Sequence, residues 1–273
     1  MNNVVEQLEL KAKQLRKDVL EVVYESKAGH IGGSLSSLDI LTTLYYNVLN
    51  VNPSEPKDPN RDRFILSKGH IAESLYCVLA DKGYFSKDKL KTYSKFQSTL
   101  IGHPNVKNPG VELNTGSLGH GLSASVGIAL AGKRDNKKYR VFTLMGDGEQ
   151  AEGSIWEAAM SAAHYKLDNL VAIVDRNGLQ ISGTTEEVMS LNDLAGKWTK
   201  FGWNVVEVDG NNVEELLKVF SNVPEVKDKP TMVIAKTVKG KGISFMENNA
   251  KWHHGVPTEA EYLQAMKELE EDC

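Results

Sequence analysis

Two polar segments of the chain have residue types and spacing suited to holding a metal ion and a diphosphate. Gly-Asp-Gly, centred on Asp147, follows the strand-like run 139–145, and Asp-Arg-Asn-Gly, containing Asn177, follows the apolar run 170–174. The carboxyl ends of neighbouring parallel strands lie side by side, and ligands bind beyond them. One carboxylate, one amide oxygen and a loop carbonyl would leave a Mg²⁺ ion room for diphosphate and water oxygens. Gly-Asp-Gly alone is equally typical of a tight turn, but the second segment favours the metal site.

Histidines next to glycines form the second group of candidate residues. Five of the seven histidines have a neighbouring glycine: His30, His70, His103, His120 and His254. Glycine permits tight turns and a close approach of the backbone to a ligand. Imidazole donates to phosphate oxygens and transfers protons near neutral pH. A single histidine of this kind is more often structural, but five in such loops indicate a ligand site.

Alternating strands and helices must position these residues. Strands are predicted at 64–66, 139–145, 170–174, 205–208 and 232–235. Helices are predicted at 8–23, from about 37 to 48, at 71–80, from about 154 to 165, at 213–220 and after the capping-box pattern at 258–261. The glycine- and serine-rich residues 32–34 are predicted to precede the second helix. The expected fold is α/β, a doubly wound, mostly parallel sheet with helices on both faces, built by residues 1–273 as a single domain.

Composition and charge exclude several classes of function. The chain has 32 Lys and Arg residues against 36 Asp and Glu residues, a net charge of −4, which provides no basic surface for nucleic acid or an anionic membrane. Its two cysteines, Cys77 and Cys273, form no disulfide framework or zinc pattern and suit a reducing compartment. The first residues lack a signal-peptide stretch, and no apolar run could span a bilayer. We therefore expect a cytoplasmic protein with no nucleic-acid or membrane partner.

The two strand-end segments together resemble the thiamine-diphosphate-binding motif that transketolases, pyruvate dehydrogenases and related enzymes share. In this chain 26 residues separate Gly-Asp-Gly from Asp-Arg-Asn. The resemblance implies thiamine diphosphate as the cofactor together with Mg²⁺, for which Ca²⁺ or Mn²⁺ can substitute. It also implies that Asp147, Asn177 and the main-chain carbonyl of Leu179 are metal ligands, and that Asn177 contacts the cofactor.

Further segments resemble transketolase specifically, along almost the whole chain. They are the first active-site loop at 29–34, a histidine loop at 66–70, Gly-His-Pro at 102–104, Thr-Gly-Ser-Leu-Gly-His-Gly at 115–121 and Trp-His-His-Gly at 252–255. Pyruvate dehydrogenase α-chains share the metal motif but not this set. Ser117 stands where the family has proline, and His120 where it has glutamine, which leaves the path of that loop open.

The resemblance to transketolase implies roles for the residues in these loops. His70 and His254 are expected to contact the diphosphate, whereas His30 and His103 are expected to face the substrate and handle protons. Backbone contacts to the cofactor are expected from Gly116, Leu118 and Gly148. Glu152 and Glu157 match acidic family positions near the subunit interface, although a solvated or capping role stays open for both. His120 and His253 receive no role.

The resemblance also implies that the active site needs a second chain. In the family, a glutamate on a pyrimidine-binding domain protonates the aminopyrimidine of the cofactor, and residues after Gly255 are too few to form such a domain. The chain is therefore expected to be the N-terminal subunit of a split transketolase, paired with a C-terminal subunit that carries the pyrimidine-binding domain in an α2β2 assembly. The pair would transfer a two-carbon ketol unit from a ketose to an aldose, either of them a sugar or a sugar phosphate.

Two other interpretations stay open. The chain could be a subunit of another thiamine-diphosphate enzyme, either one that decarboxylates a 2-oxo acid or one similar to 1-deoxyxylulose-phosphate synthase. It could also be a regulatory or scaffold protein that has kept the fold, against which the set of Asp147, Asn177 and the histidines argues. The donor and acceptor sugars do not follow from the sequence, because in the family the groups that bind the sugar phosphate lie mainly on the pyrimidine-binding side.

Overall fold

The predicted strands form one parallel sheet in the computed structural model, which describes residues 2–271. The strands are β1 (Arg63–Leu66), β2 (Val141–Gly146), β3 (Leu170–Arg176), β4 (Asn204–Asp209) and β5 (Thr231–Lys236). Within the described residues their order is β1-β2-β3-β5-β4, and all neighbouring pairs are parallel. The predicted fold class is therefore confirmed. Cys273 lies outside the described residues.

Helices cover both faces of this sheet. In chain order they are α1 (Asn2–Ser26), α2 (Ile31–Thr43), α3 (Ala72–Lys82), α4 (His120–Arg134), α5 (Gly153–His164), α6 (Thr185–Val188), α7 (Leu194–Lys200), α8 (Val213–Ser221) and α9 (Glu259–Glu271). α1, α2, α3 and α8 share one core with Phe142 and Leu144, whereas α4, α5 and α7 share the other with Val141 and Met145. Successive strand residues thus enter opposite cores, which explains why the strands are almost wholly apolar.

The second helix begins earlier than its sequence indicates. α2 starts at Ile31 and includes the glycine- and serine-rich residues 32–34, so the prediction that this segment precedes the helix is wrong. All residues of α2 are buried, and a Cβ atom on Gly32 would lie 2.7 Å from the carbonyl oxygen of Trp252. Close packing therefore requires small residues here, although these residues lower the intrinsic helix propensity of the segment. The tertiary contacts outweigh this low propensity.

Helix α4 is absent from the sequence predictions, although it is one of the longer helices. It contains Gly121, Gly127 and Gly132, each of which disfavours an isolated helix. The helix forms because its buried residues, among them Leu122 and Val126, pack in the same core as α5 and the sheet. Burial of an apolar face supplies most of the stability of such a helix.

The capping box predicted at 258–261 is present in the structure. At the start of α9, the Thr258 amide donates to the Glu261 carboxylate at 2.8 Å and the Glu261 amide donates to the Thr258 hydroxyl at 3.3 Å, as a capping box requires. Cys77 is buried and forms no disulfide within residues 2–271. In the part of the chain that the structure describes, no helix is both long and apolar enough to cross a membrane.

Candidate active site

A cavity of about 280 Å³ lies beyond the carboxyl ends of β2 and β3. Its lining contains predicted site residues from five separate loops: His30, His70, Gly116, Leu118, Asp147, Gly148, Asn177 and Leu179. The lining also contains residues for which the sequence indicates no role: Lys68, Glu149, Gln180, Lys239 and His253. His103 and His254 do not line the cavity, but each lies against a residue that does. The sheet thus brings together positions far apart in the chain.

The strand register places Asp147 beside the segment that contains Asn177. Gly146 of β2 pairs with Asp175 of β3, so both polar segments leave the sheet at the same level. The carboxylate of Asp147 accepts hydrogen bonds from the amides of Gly148 at 2.8 Å and Gly178 at 2.6 Å. Burial, followed by the nearby charge of Asp175, raises the pKa of Asp147 to about 6. A cation placed here would favour the ionised carboxylate.

Asn177 has a fixed orientation next to Asp147. Its side-chain oxygen accepts a hydrogen bond from the Leu179 amide at 3.1 Å, and its Nδ2 donates to Asp175 at 3.3 Å. Gly178, which follows it, has a φ of 78°, a value that glycine adopts without strain. The tight turn thus places both Asn177 and Leu179 in the lining of the cavity, where the Leu179 carbonyl oxygen lies 3.4 Å from Nζ of Lys239.

A buried ion pair supports the floor of the cavity. Lys68 and Asp175 are almost completely inaccessible to solvent and form a short salt bridge. Asp175 also accepts hydrogen bonds from the hydroxyls of Ser36 at 2.7 Å and Ser37 at 2.9 Å, and from Thr237. Burial alone would raise the pKa of Asp175, but Lys68 and these hydroxyls hold it below its ordinary value. The pair ties β3 to α2 and to the loop that carries His70.

Histidine rings from three loops form a cluster over the cavity. The ring centroid of His30 lies 4.6 Å from that of His254, 5.1 Å from that of His70 and 5.6 Å from that of His253. Burial and neighbouring cationic or imidazole groups lower the pKa of His30 to about 4 and of His253 to about 3, and lower that of His70 further. These three imidazoles are therefore neutral near pH 7.

His103 lies against the glycine loop at 115–121. Gly116 has a φ of 145°, and a Cβ atom on it would lie 2.7 Å from Cδ2 of His103. The hydroxyl of Tyr76 donates to the main-chain carbonyl of His103 at 2.7 Å. Glycine at position 116 therefore allows the His103 ring to pack directly behind a residue that lines the cavity.

Lys239 is a cation in the cavity that is missing from the sequence predictions. Its Nζ atom lies 3.4 Å from the Leu179 carbonyl oxygen and 3.0 Å from Nδ1 of His253. Burial, followed by repulsion from Lys68, lowers the pKa of Lys239 to about 8. Its position three residues after β5, at the same edge of the sheet as Asp147, is the sequence signal that could have identified it.

The available donors fit a diphosphate that is bound together with a divalent cation. Lys68 and Lys239 provide buried positive charge, and the Nε2 donor of Gln180 is buried without a hydrogen-bond partner among the described residues. Within residues 2–271, no group of three or more His, Cys, Asp and Glu side chains could hold a metal ion. A cation beside Asp147 would therefore need amide, carbonyl and ligand oxygens, the set that Mg²⁺ commonly uses with phosphates.

Comparison with known proteins agrees with this geometry. Residues 8–270 match the family described as transketolase, thiamine diphosphate binding domain. The chain belongs to the transketolase family. The predicted family is therefore confirmed, and so is thiamine diphosphate as the cofactor that the matching domain binds.

Curated relatives match this transketolase domain almost from end to end. The chain is 54% identical over 267 residues to an apulose-4-phosphate transketolase subunit of Phocaeicola vulgatus, covering 98% of this chain and 95% of the relative. It is 41% identical over 266 residues to the 6-deoxy-6-sulfo-D-fructose transketolase subunit SqwG of Clostridium sp., covering 97% of both chains. Both relatives are named as subunits, so a transketolase domain of this length occurs as a separate chain.

A solved transketolase structure has the same fold in the matching region. The transketolase from Leishmania mexicana superimposes with a TM-score of 0.91 at 29% identity, and the match covers 96% of this chain. It covers 41% of the Leishmania chain. The present transketolase domain therefore spans about two fifths of the length of that protein.

Proposed function

We propose that this chain is the thiamine-diphosphate-binding subunit of a two-chain transketolase. A second chain would supply the pyrimidine-binding domain, and the pair would transfer a two-carbon ketol unit from a ketose to an aldose. The observation that carries the proposal is the meeting of Asp147 and Asn177 at the edge of the sheet, beside two buried lysines and below neutral histidines. Residues 1–273 would act as a single domain, in a cytoplasmic α2β2 assembly.

Three oxygen groups of the chain are suited to hold Mg²⁺. They are the Asp147 carboxylate, the Asn177 amide oxygen and the Leu179 carbonyl, with Ca²⁺ or Mn²⁺ as possible substitutes. When it is bound, thiamine diphosphate supplies a nucleophilic thiazolium carbon and a sink for the electron pair of the two-carbon fragment. The diphosphate would be contacted by His70, Asn177, Lys239 and His254, and by the backbone at Gly116, Leu118 and Gly148.

His30 and His103 would handle protons at the oxygens of the sugar. Burial and neighbouring imidazoles keep His30 neutral near pH 7, because they lower its pKa to about 4. A neutral imidazole can accept a proton from a hydroxyl group and return it to a carbonyl oxygen. The His103 ring packs against the glycine loop beside the cavity, from which it would reach a substrate held above the cofactor.

The relatives suggest which substrates to test first. The relative with 54% identity is named for apulose 4-phosphate and the one with 41% identity for 6-deoxy-6-sulfo-D-fructose. We propose a ketose phosphate as the donor, with apulose 4-phosphate as the first candidate. A sulfonated ketose is the second candidate, because the relative named for it also matches nearly the whole chain but at lower identity.

Reconstitution tests the proposed function. The chain would be purified alone and with the product of the adjacent gene, and ketol transfer would be followed in a coupled assay with Mg²⁺ and thiamine diphosphate. We expect activity only from the pair. Light scattering should report an α2β2 mass, because subunits of this kind usually form symmetric assemblies. Obligate interfaces commonly bury ~2,000–5,000 Å², so the assembly should stay together during the measurement. Full activity of the isolated chain would contradict the two-chain proposal.

Pyruvate distinguishes the other thiamine-dependent activities in the same assay. Release of carbon dioxide from pyruvate alone would identify a 2-oxo acid decarboxylating enzyme. Decarboxylation that requires an aldose phosphate would identify a synthase similar to the 1-deoxyxylulose-phosphate enzyme. Failure of the pair to bind thiamine diphosphate would favour a protein that has kept the fold without catalysis.

Substitution of two histidines should separate cofactor binding from turnover. We expect His103→Ala to lower kcat by about 10²–10⁴-fold, the usual contribution of a general acid or base, with little change in cofactor affinity. His70→Ala should mainly weaken cofactor binding, because His70 lines the cavity beside Lys68. Titration calorimetry and steady-state kinetics of the pair would measure both effects, and identical profiles for the two variants would contradict this division of roles.

A further inference from the structure

Helix α3 contacts the backbones of two histidine loops that are remote from it in sequence. Glu73 and Tyr76 are three residues apart in the sequence, so their side chains are neighbours on one face of the helix. Glu73 accepts a hydrogen bond from the amide of His30 at 2.6 Å, and the hydroxyl of Tyr76 donates to the carbonyl of His103 at 2.7 Å. His70 itself lies in the short turn that leads into α3. One element therefore contacts the loops of His30 and His103 and adjoins that of His70.

The Glu73 carboxylate caps a helix other than its own. His30 is the residue before α2, and its side chain makes no capping hydrogen bond. Oε1 of Glu73 instead accepts from the His30 amide and, at 2.8 Å, from the hydroxyl of Ser34. Because Glu73 also lies in the first turn of α3, its charge is close to the amino ends of two helices, where a negative charge is favourable.

Glu73 is completely buried and has no counter-ion among its described hydrogen-bond partners. Its Oε2 atom accepts from the hydroxyl of Tyr93 at 3.0 Å. Burial raises the pKa of Glu73, and burial together with Glu73 raises the pKa of Tyr93, which keeps that hydroxyl protonated as a donor. Each of the two carboxylate oxygens therefore has at least one donor, as a buried polar group requires.

The chain also passes unusually close to this carboxylate at Gly29. Its φ is 151°, and a Cβ atom there would lie 2.6 Å from Cγ2 of Val23 and 3.1 Å from Oε1 of Glu73. The loop that carries His30 is therefore packed directly against Glu73, with no space for a larger residue. Movement of the carboxylate would move the backbone of His30.

We propose that Glu73 and Tyr76 are positioning residues, which hold the backbones of the loops of His30 and His103 in place beside the cavity. The inference rests on the proposed function in that these two histidines serve the reaction. Neither Glu73 nor Tyr76 is in the lining of the cavity, so each acts through the backbone of a histidine. Misplacement of a reacting group by about 1 Å costs on the order of 10²-fold in rate.

Glu73→Met in the reconstituted pair tests this proposal. Methionine has a similar length and no strong acceptor, so it leaves the His30 amide and the hydroxyls of Ser34 and Tyr93 unpaired. We expect hydrogen exchange at residues 30–34 to accelerate and kcat to fall by about 10- to 10²-fold. The affinity for thiamine diphosphate should remain close to the wild-type value. Tyr76→Phe should lower kcat without accelerating exchange at residues 30–34.

Two matched variants separate positioning from general stability. Glu73→Gln keeps an acceptor for His30 and Ser34, and Tyr93 can reverse its hydroxyl to accept from the new amide, so kcat and exchange protection should largely recover. Glu112→Met removes a partly buried carboxylate, the one that accepts from Arg61 at 2.7 Å just before β1, at the end of the sheet opposite the cavity. It should lower stability without changing exchange at residues 30–34 or kcat.

The possible results distinguish this inference from the proposed function. Wild-type kcat and exchange in Glu73→Met, or an equal loss of kcat in Glu112→Met, would overturn the positioning role. If Glu73→Met does not fold, Tyr93→Phe removes one donor from the same carboxylate and must still accelerate exchange at residues 30–34. If the wild-type pair shows no ketol transfer, the proposed function fails, and the exchange data still decide whether Glu73 holds the loop.

Discussion

Asp147→Asn is expected to weaken Mg²⁺ and thiamine diphosphate binding together. In the proposed site Asp147 would hold the cation, and the cation would supply positive charge to the diphosphate, so loss of the charged ligand should affect both. The Asp147 carboxylate also accepts from the amides of Gly148 and Gly178, and the NH₂ group of asparagine cannot replace an acceptor there. Loss of a charge-assisted contact of this kind costs about 1.5–3 kcal/mol, or roughly a 10- to 10²-fold loss of affinity.

Calorimetry of the pair at several Mg²⁺ concentrations measures this effect. The affinity of the wild-type pair for thiamine diphosphate should rise with Mg²⁺, and that of the variant should depend on Mg²⁺ much less. Asp88→Asn, which removes an exposed carboxylate that is paired with Lys91 and does not line the cavity, should behave as wild type. Retention of the full Mg²⁺-dependent affinity in Asp147→Asn would refute the assignment of Asp147 as a metal ligand.

Of the single substitutions proposed for this protein, Asp175→Asn is expected to lower the free energy of unfolding the most. It would leave the ammonium of Lys68 buried without a counter-ion and replace one acceptor of the Ser36, Ser37 and Thr237 hydroxyls. Removal of one partner from a buried ion pair lowers the free energy of unfolding by about 3–5 kcal/mol. Urea unfolding of the protein, followed by circular dichroism, measures the change.

Two comparisons identify the buried charge as the cause. The double variant Lys68→Met with Asp175→Asn should recover part of the lost stability, because position 68 then no longer carries an unpaired buried charge. Glu214→Gln breaks the exposed pair with Lys218 on α8, and it should leave the unfolding midpoint unchanged because surface pairs contribute little. A double variant that is less stable than Asp175→Asn would show that the charge of Lys68 is not the source of the loss.

The sequence by itself determined the sheet and its ligand-binding edge. Apolar content and periodicity are local properties, so the strands and most helices could be located without tertiary contacts. The parallel topology followed from the alternation of strands and helices, and it placed Asp147 and Asn177 at neighbouring strand ends. The family's loop sequences identified His30, His70, Gly116 and Gly148, which the structure brings together in the lining of the cavity.

Only the tertiary structure decided which polar residues are buried and what they contact. Lys68 and Asp175 are 107 residues apart, and Glu73 and His30 are 43 residues apart. In the sequence each of these charged residues resembles an exposed one, because burial depends on packing by elements distant in the chain. For the same reason, the sequence does not show that His253 lines the cavity beside Lys239 whereas its neighbour His254 does not. Helices α2 and α4 also depend on such packing, since their glycines disfavour a helix until a neighbouring surface buries it.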